Sequence, residues 1–158
     1  MKKLGKLEAL VWNIALPGFS QLISGQWIKG IVFILLEFTI NVKSKFNLAI
    51  MYSFQGNFDQ ALAVTNFQWL MFYPCLYFFA LWDAYRDAMP VTERETYLPF
   101  AFAAFFVTIG LMYSPNLTLY GVLLGPVFLP MLFLIPGLLI GLILRYVVIR
   151  IHKTKMDK

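Results

Sequence analysis

The stretch LTLYGVLLGPVFLPMLFLIPGLLIGLILRYVVI, residues 117–149, contains no Asp, Glu, Lys or Arg before Arg145. Roughly 20 consecutive apolar residues suffice to cross the ~30 Å hydrocarbon core of a bilayer. No soluble domain of this size has the interior to hide such a run. It contains Pro126, Pro130 and Pro136, which predict a kinked helix, with the part before Pro126 forming a separate half-helix. The rest of the chain agrees. Of 158 residues 60% are apolar and only 13% charged, about half the charge of a soluble domain. Composition therefore excludes a soluble enzyme, a disordered tail and a disulfide scaffold, and predicts an all-α polytopic integral membrane protein.

Working back from that run, three further spans are expected. Residues 97–113 form an apolar segment closed by Ser114-Pro115-Asn116. Residues 67–85 are rich in Phe, Tyr and Trp and end in Asp83-Ala84-Tyr85-Arg86-Asp87, with a stop at Met89-Pro90. Residues 26–42 open at Trp27, an interfacial anchor, with Lys29 near enough to the end to snorkel. With residues 119–149 this makes four transmembrane helices in one membrane domain. Residues 46–66 carry apolar side chains at helical spacing and predict a surface-lying helix or a helical extension, with a break at Gly56-Asn57. Residues 9–24 are too short and too polar to cross. Pro17-Gly18 divides them, so a broken interfacial or re-entrant helical segment is expected there. No cleavable export signal is expected, since no small-x-small site precedes a polar region.

Thirteen basic residues stand against eight acidic ones, giving +5. They cluster at the N-terminus (Lys2, Lys3, Lys6), after the second long span (Arg86, Arg94) and at the C-terminus (Arg145, Arg150, Lys153, Lys155, Lys158). Four crossings put all three groups on one side, and five would force the basic C-terminus out. The positive-inside rule thus predicts a multi-pass protein of the cell membrane with both termini cytoplasmic. Topology and lipid headgroups account for the charge, so no nucleic-acid partner is expected. The expected partners are the bilayer and other membrane proteins or a second copy.

Glu37 lies near the middle of a span, where a carboxylate costs ~2–3 kcal/mol or more on insertion scales. Gln26, Gly30, Phe33, Glu37 and Asn41 recur at spacings of three and four and share one helix face. Glu37, Asn41 and Gln26 are therefore the candidate intramembrane polar site, for an ion, a proton or a headgroup. The competing reading is a hydrogen-bonded Glu37 that fixes helix packing. Asp83 and Asp87 face the same way with Arg86 between them. They read either as a solvated, ion-paired helix end or, with Glu93, as a lipid-modifying enzyme's carboxylates. Gly121-x-x-x-Gly125 and Gly137-x-x-x-Gly141 are candidate close-packing pairs. One Cys (Cys75) and one His (His152) do not make a metal site. No catalytic, cofactor-binding or metal-ligating residue is predicted.

Pro17-Gly18, Gln21, Gly25-Gln26 and Lys29-Gly30 stand in the order of the pattern PGxGQ-x3-GQ-x2-KG. The segment resembles the start of small bacterial multi-pass membrane proteins of unknown role, and is locally similar to the segment preceding the first span of sugar ABC-transporter permease subunits. Asp83-Ala84-Tyr85 with Ala88 resembles the Asp-Ala-Tyr-x-x-Ala signature after a span in some of these small proteins. The Glu-Ala-Ala coupling segment of permeases is missing. The resemblance thus implies a bacterial inner-membrane location and this topology, and transfers no catalytic residue. The role expected is a non-enzymatic accessory, scaffold or regulatory protein. The alternatives are a small transporter or channel component around Glu37, and a lipid-modifying enzyme.

Overall fold

A computed structural model describes residues 4–89, 93 and 95–156. Lys2, Lys3, Arg94, Lys158 and the stop expected at Pro90 lie outside the described residues. Helix makes up 78% of the structure, so the all-α expectation holds. The elements are α1 (Lys6–Ala15), α2 (Phe19–Ile23), α3 (Trp27–Ser44), α4 (Phe46–Phe54), α5 (Phe58–Val64), α6 (Phe67–Leu70), α7 (Tyr73–Asp87), α8 (Tyr97–Tyr113), β1 (Thr118–Leu119), β2 (Val122–Leu123) and α9 (Gly125–Met156).

The four long helices alternate in direction. Along α3, Gln26 meets Asp87, Phe33 meets Phe79 and Phe46 just beyond meets Tyr73, so α3 runs antiparallel to α7. Trp82 Nε1 donates to Thr96 Oγ1 at 3.3 Å, which fixes the turn from α7 into α8. Gly110, Gly137 and Gly141 seat α8 and α9 backbone to backbone. A Cβ on Gly141 would lie 2.5 Å from Pro99 Cα, one on Gly137 2.8 Å from the Phe102 carbonyl, and one on Gly110 2.7 Å from Pro130 Cα. The pair Gly137/Gly141 is therefore a packing surface within the chain, as small residues at a helix crossing permit.

α1 and α2 form a hairpin against α7. Lys6 sits over the Tyr85 ring and the Tyr77 hydroxyl reaches the Ile14 carbonyl, so α1 descends α7 by ~12 Å. Beyond the break at residues 16–18, Gln21 lies beside Ala80 and Asp83, and Gln26 beside Asp87. The chain has returned to the end where it started. The expected break at Pro17-Gly18 is present, and the segment doubles back on itself.

Several boundaries differ from expectation. The span foreseen over 67–85 is two helices, interrupted at Met71-Phe72. The run 119–149 does not begin as a helix. Thr118-Leu119 pairs antiparallel with Val122-Leu123, and Tyr120 and Gly121 both have positive φ. That is the two-residue turn that matches strand twist. Gly121 therefore sits at an open hairpin tip with nothing near it, and Gly125 starts α9 beside Phe58. Gly121 and Gly125 are not a helix-packing pair. Among the described residues, only Gly125–Thr154 of α9 is both long and apolar enough to cross a membrane. The other three fall short of that measure individually: α3 carries Lys29, Glu37 and Lys43, α7 has 15 residues and α8 has 17.

Exposure is inverted relative to a water-soluble bundle. On α3 the buried face holds Gly30, Phe33, Glu37, Ile40 and Ser44. The outer face holds Ile28, 82% exposed, and Phe38, 69% exposed, while Glu37 is 8% exposed. Met131, Ile135, Leu139 and Ile143 point outward from α9 in the same way.

Candidate functional site

The two motifs that stand far apart in the sequence form one polar cluster. It begins with the break between α1 and α2, which frees backbone N–H groups that a buried site must satisfy. Asn13, fully buried, meets this need. Its Oδ1 accepts from the backbone N–H of Gly18 at 3.1 Å and of Ser20 at 3.2 Å, and its Nδ2 donates to the Ala80 carbonyl at 2.7 Å. Gln21 Nε2 donates to the same carbonyl at 3.1 Å and to Asp83 Oδ2 at 3.2 Å.

Glycine is required where the hairpin meets α3. Gly18 has φ +100°, and a Cβ there would lie 2.6 Å from the Gly30 carbonyl. A Cβ on Gly30 would lie 2.8 Å from the Gly18 carbonyl and 2.5 Å from Leu22. The Pro-Gly and Lys-Gly pairs of the motif are thus two sides of one contact, which brings Lys29 to α7.

Lys29 Nζ lies 3.1 Å from Asp83 Oδ1 and 3.4 Å from Asp87 Oδ2. Arg86 Nη2 donates to Asp83 Oδ1 at 2.9 Å, and its guanidinium lies 4.6 Å above the Trp82 ring. Gln26 Nε2 donates to Asp87 Oδ2 at 2.6 Å. Two carboxylates and two cations balance. Burial pushes the Asp87 carboxyl up, but the Gln26 hydrogen bond and the Lys29 and Arg86 charges outweigh it and hold it below the usual carboxylate range. Asp83 is 3% exposed. The expected solvated helix end is therefore corrected: Asp83 is a buried, paired group facing the hairpin. Ala84 packs with Leu4 and Ala9, and Tyr85 carries Lys6 on its face.

The middle of the stripe foreseen on α3 (Gly30, Phe33, Glu37) is buried and its ends Gln26 and Asn41 are half-buried, but its polar members do not converge. Gln26 belongs to the Asp87 end. Glu37, ~16 Å along the helix, lies beside Tyr73, and its Oε2 is buried without a hydrogen-bond partner. Asn41 Nδ2 donates to Asn47 Oδ1 at 3.2 Å, near the other end. Glu93, grouped with the aspartates in the enzyme reading, instead pairs with Lys6 and with Arg145, the latter at 2.7 Å. Asn13 was missed by sequence reasoning. Its signal was an Asn four residues before Pro17 and five before Gly18, the reach needed to accept from the far side of the turn.

Among the described residues, no three His, Cys, Asp or Glu side chains are placed to hold a metal ion. No family model, curated protein or solved structure matches the chain.

Proposed function

We propose that this chain is a four-span integral protein of the cell membrane that works by contact with other membrane proteins, as an accessory or scaffold subunit, and not by catalysis. The inverted surface carries this reading. Leu, Ile and Phe on the outer faces of α1, α3 and α9 suit lipid tails or a neighbouring helix, while Asn13, Gln21, Glu37 and Asp83 lie inside. α3, α7, α8 and α9 alternate in direction and act as the crossings. α1 and α2 dip in as a re-entrant hairpin. Their non-helical backbone is covered by α3 at Gly18 and tied to α7 through Asn13, a protein-buried setting in which a bilayer tolerates it.

The charged ends favour the same topology. Lys6, Glu93 and Arg145 form one tie, with His152 Nδ1 4.0 Å from Glu95. The N-terminal helix, the α7–α8 loop and the end of α9 thus share one face, which the positive-inside rule assigns to the cytoplasm. Catalysis by Asp83 and Asp87 is disfavoured because both carboxylates are consumed by Lys29, Arg86, Gln21 and Gln26.

Cysteine labelling in a Cys75→Ser background tests the topology. A cysteine at Asn57 is expected to react with an impermeant maleimide in intact cells, and one at Thr154 only after permeabilisation. The opposite pattern overturns the cytoplasmic assignment of the termini, and labelling of both overturns the four-span reading. A photo-crosslinker at Phe38 is expected to capture a membrane protein. The unpartnered Glu37 oxygen favours one rival, a transporter subunit. Gradient-driven flux in liposomes that Glu37→Gln abolishes would establish that rival in place of the scaffold.

A further inference from the structure

On the side of α7 away from the hairpin, an open groove of about 630 Å³ runs between α7 and α8. Ala101 and Ala104 form its floor, and Phe78, Phe79 and Phe105 its walls. It extends from Trp82 and Tyr97 down to Cys75 and Thr108. Tyr97 to Thr108 is ~16 Å of helix, about half of a ~30 Å hydrocarbon core. The slot therefore has the depth of one leaflet.

Its upper end is not apolar. Trp82 and Tyr97 also line a second hollow, of about 430 Å³, with Arg86, Glu93, Glu95 and His152 around it. The two spaces meet at those shared rings. The Arg86 side chain is 38% exposed and is held flat over Trp82. Glu95 lies beside Tyr97 with His152 Nδ1 4.0 Å away, and stands at φ +55°, a left-handed conformation that costs a non-glycine residue ~1–2 kcal/mol. Arg86 gives Nε and Nη2 to Asp83 and Asp87; among the described residues, the exposed remainder of that guanidinium is what the upper hollow offers a phosphodiester, and the Glu95 carboxylate is what it offers an ammonium. Glu93 is already paired with Lys6 and Arg145, so Glu95 is the carboxylate that an anionic headgroup without an amine would meet.

Resting on the membrane reading above, we propose that this composite groove binds one aminophospholipid of the phosphatidylethanolamine class. One acyl chain lies along Ala101 and Ala104, the phosphodiester faces Arg86, and the ammonium faces Glu95.

Trp82 is a built-in reporter. With Trp12, Trp27 and Trp69 replaced by Phe, its fluorescence is read in phosphatidylcholine vesicles. The vesicles contain an equal minor fraction of tail-brominated phosphatidylethanolamine, phosphatidylcholine or phosphatidylglycerol. Quenching by the ethanolamine lipid is expected to reflect an about fivefold higher local occupancy. Ala101→Phe, which fills the slot, should reduce quenching by that lipid to the phosphatidylcholine level. Glu95→Gln should remove the headgroup preference and leave the general quenching. Equal quenching by all three lipids, or preference for phosphatidylglycerol, overturns the proposal alone. No quenching by any of them overturns the membrane reading, and the proposal with it.

Discussion

Removing the Asp83 carboxylate would leave Lys29, Arg86 and the Gln21 amide to share Asp87 and the Ala80 carbonyl. Hydrogen bonds to a charged group are worth ~1.5–3 kcal/mol, so Asp83→Asn should destabilise the protein by about that amount in detergent thermal unfolding. Asp87→Asn, at a more exposed carboxylate, should cost less. A matched glycine pair isolates the hairpin contact. Gly18 and Gly56 both have positive φ, but a Cβ at Gly56 meets nothing within 4 Å. Gly56→Ala should cost only the ~1–2 kcal/mol of the left-handed backbone. Gly18→Ala should add an overpacking cost of ~1–3 kcal/mol. Equal losses would remove the Gly18–Gly30 contact from the account. Gln21, Gln26, Lys29 and Asp83 were each legible in the sequence as motif positions. Their pairing was not, because 54 residues separate Lys29 from Asp83 and local spacing carries no information across that gap. Lys29 read as a snorkelling anchor and Asp83 as a solvated end because each was judged beside its sequence neighbours.

Helices were legible where their pattern is local. Residues 97–113 are α8 with the bounds expected, and the break in the α1–α2 hairpin falls at Pro17-Gly18. The region around Gly121 misled because its apolar residues read as helix, while the turn depends on φ at Tyr120 and Gly121. The two glycine pairs consequently separate by role. Gly141→Ala places a methyl group against Pro99 Cα and the Leu98 carbonyl, and should force α8 and α9 apart at a cost of ~1–3 kcal/mol. Gly121→Ala should strain only the turn and leave the α8–α9 distance unchanged. Distances between spin labels on α8 and α9 distinguish the two outcomes.

At the scale of the molecule, Glu93 ties the first helix to the last. Hydrogen bonds from Lys6 and Arg145 keep its carboxyl below the ordinary range, and Glu93 in turn raises the Lys6 ammonium. A depressed carboxylate contributes stability above its unfolded pKa of ~4.3 and loses it as pH falls through the lower, folded value. Asp87 adds in the same direction. Melting temperature should therefore drop below about pH 4, and the difference between wild type and Glu93→Gln should close there. An unchanged difference would remove the tie from the account. The clustering of the basic residues was legible in the sequence, whereas the carboxylate that joins Lys6 to Arg145 was not. The hairpin also bears on biosynthesis. Asn13, Gln21, Gln26 and Lys29 leave the ribosome 54 to 67 residues before the α7 groups that satisfy them. At ~5–20 residues per second that interval is several seconds. Until α7 emerges, the Asn13, Gln21 and Gln26 amides and the Lys29 ammonium have no α7 group to donate to, so on the membrane reading proposed above the hairpin descends with or after α7 rather than before it.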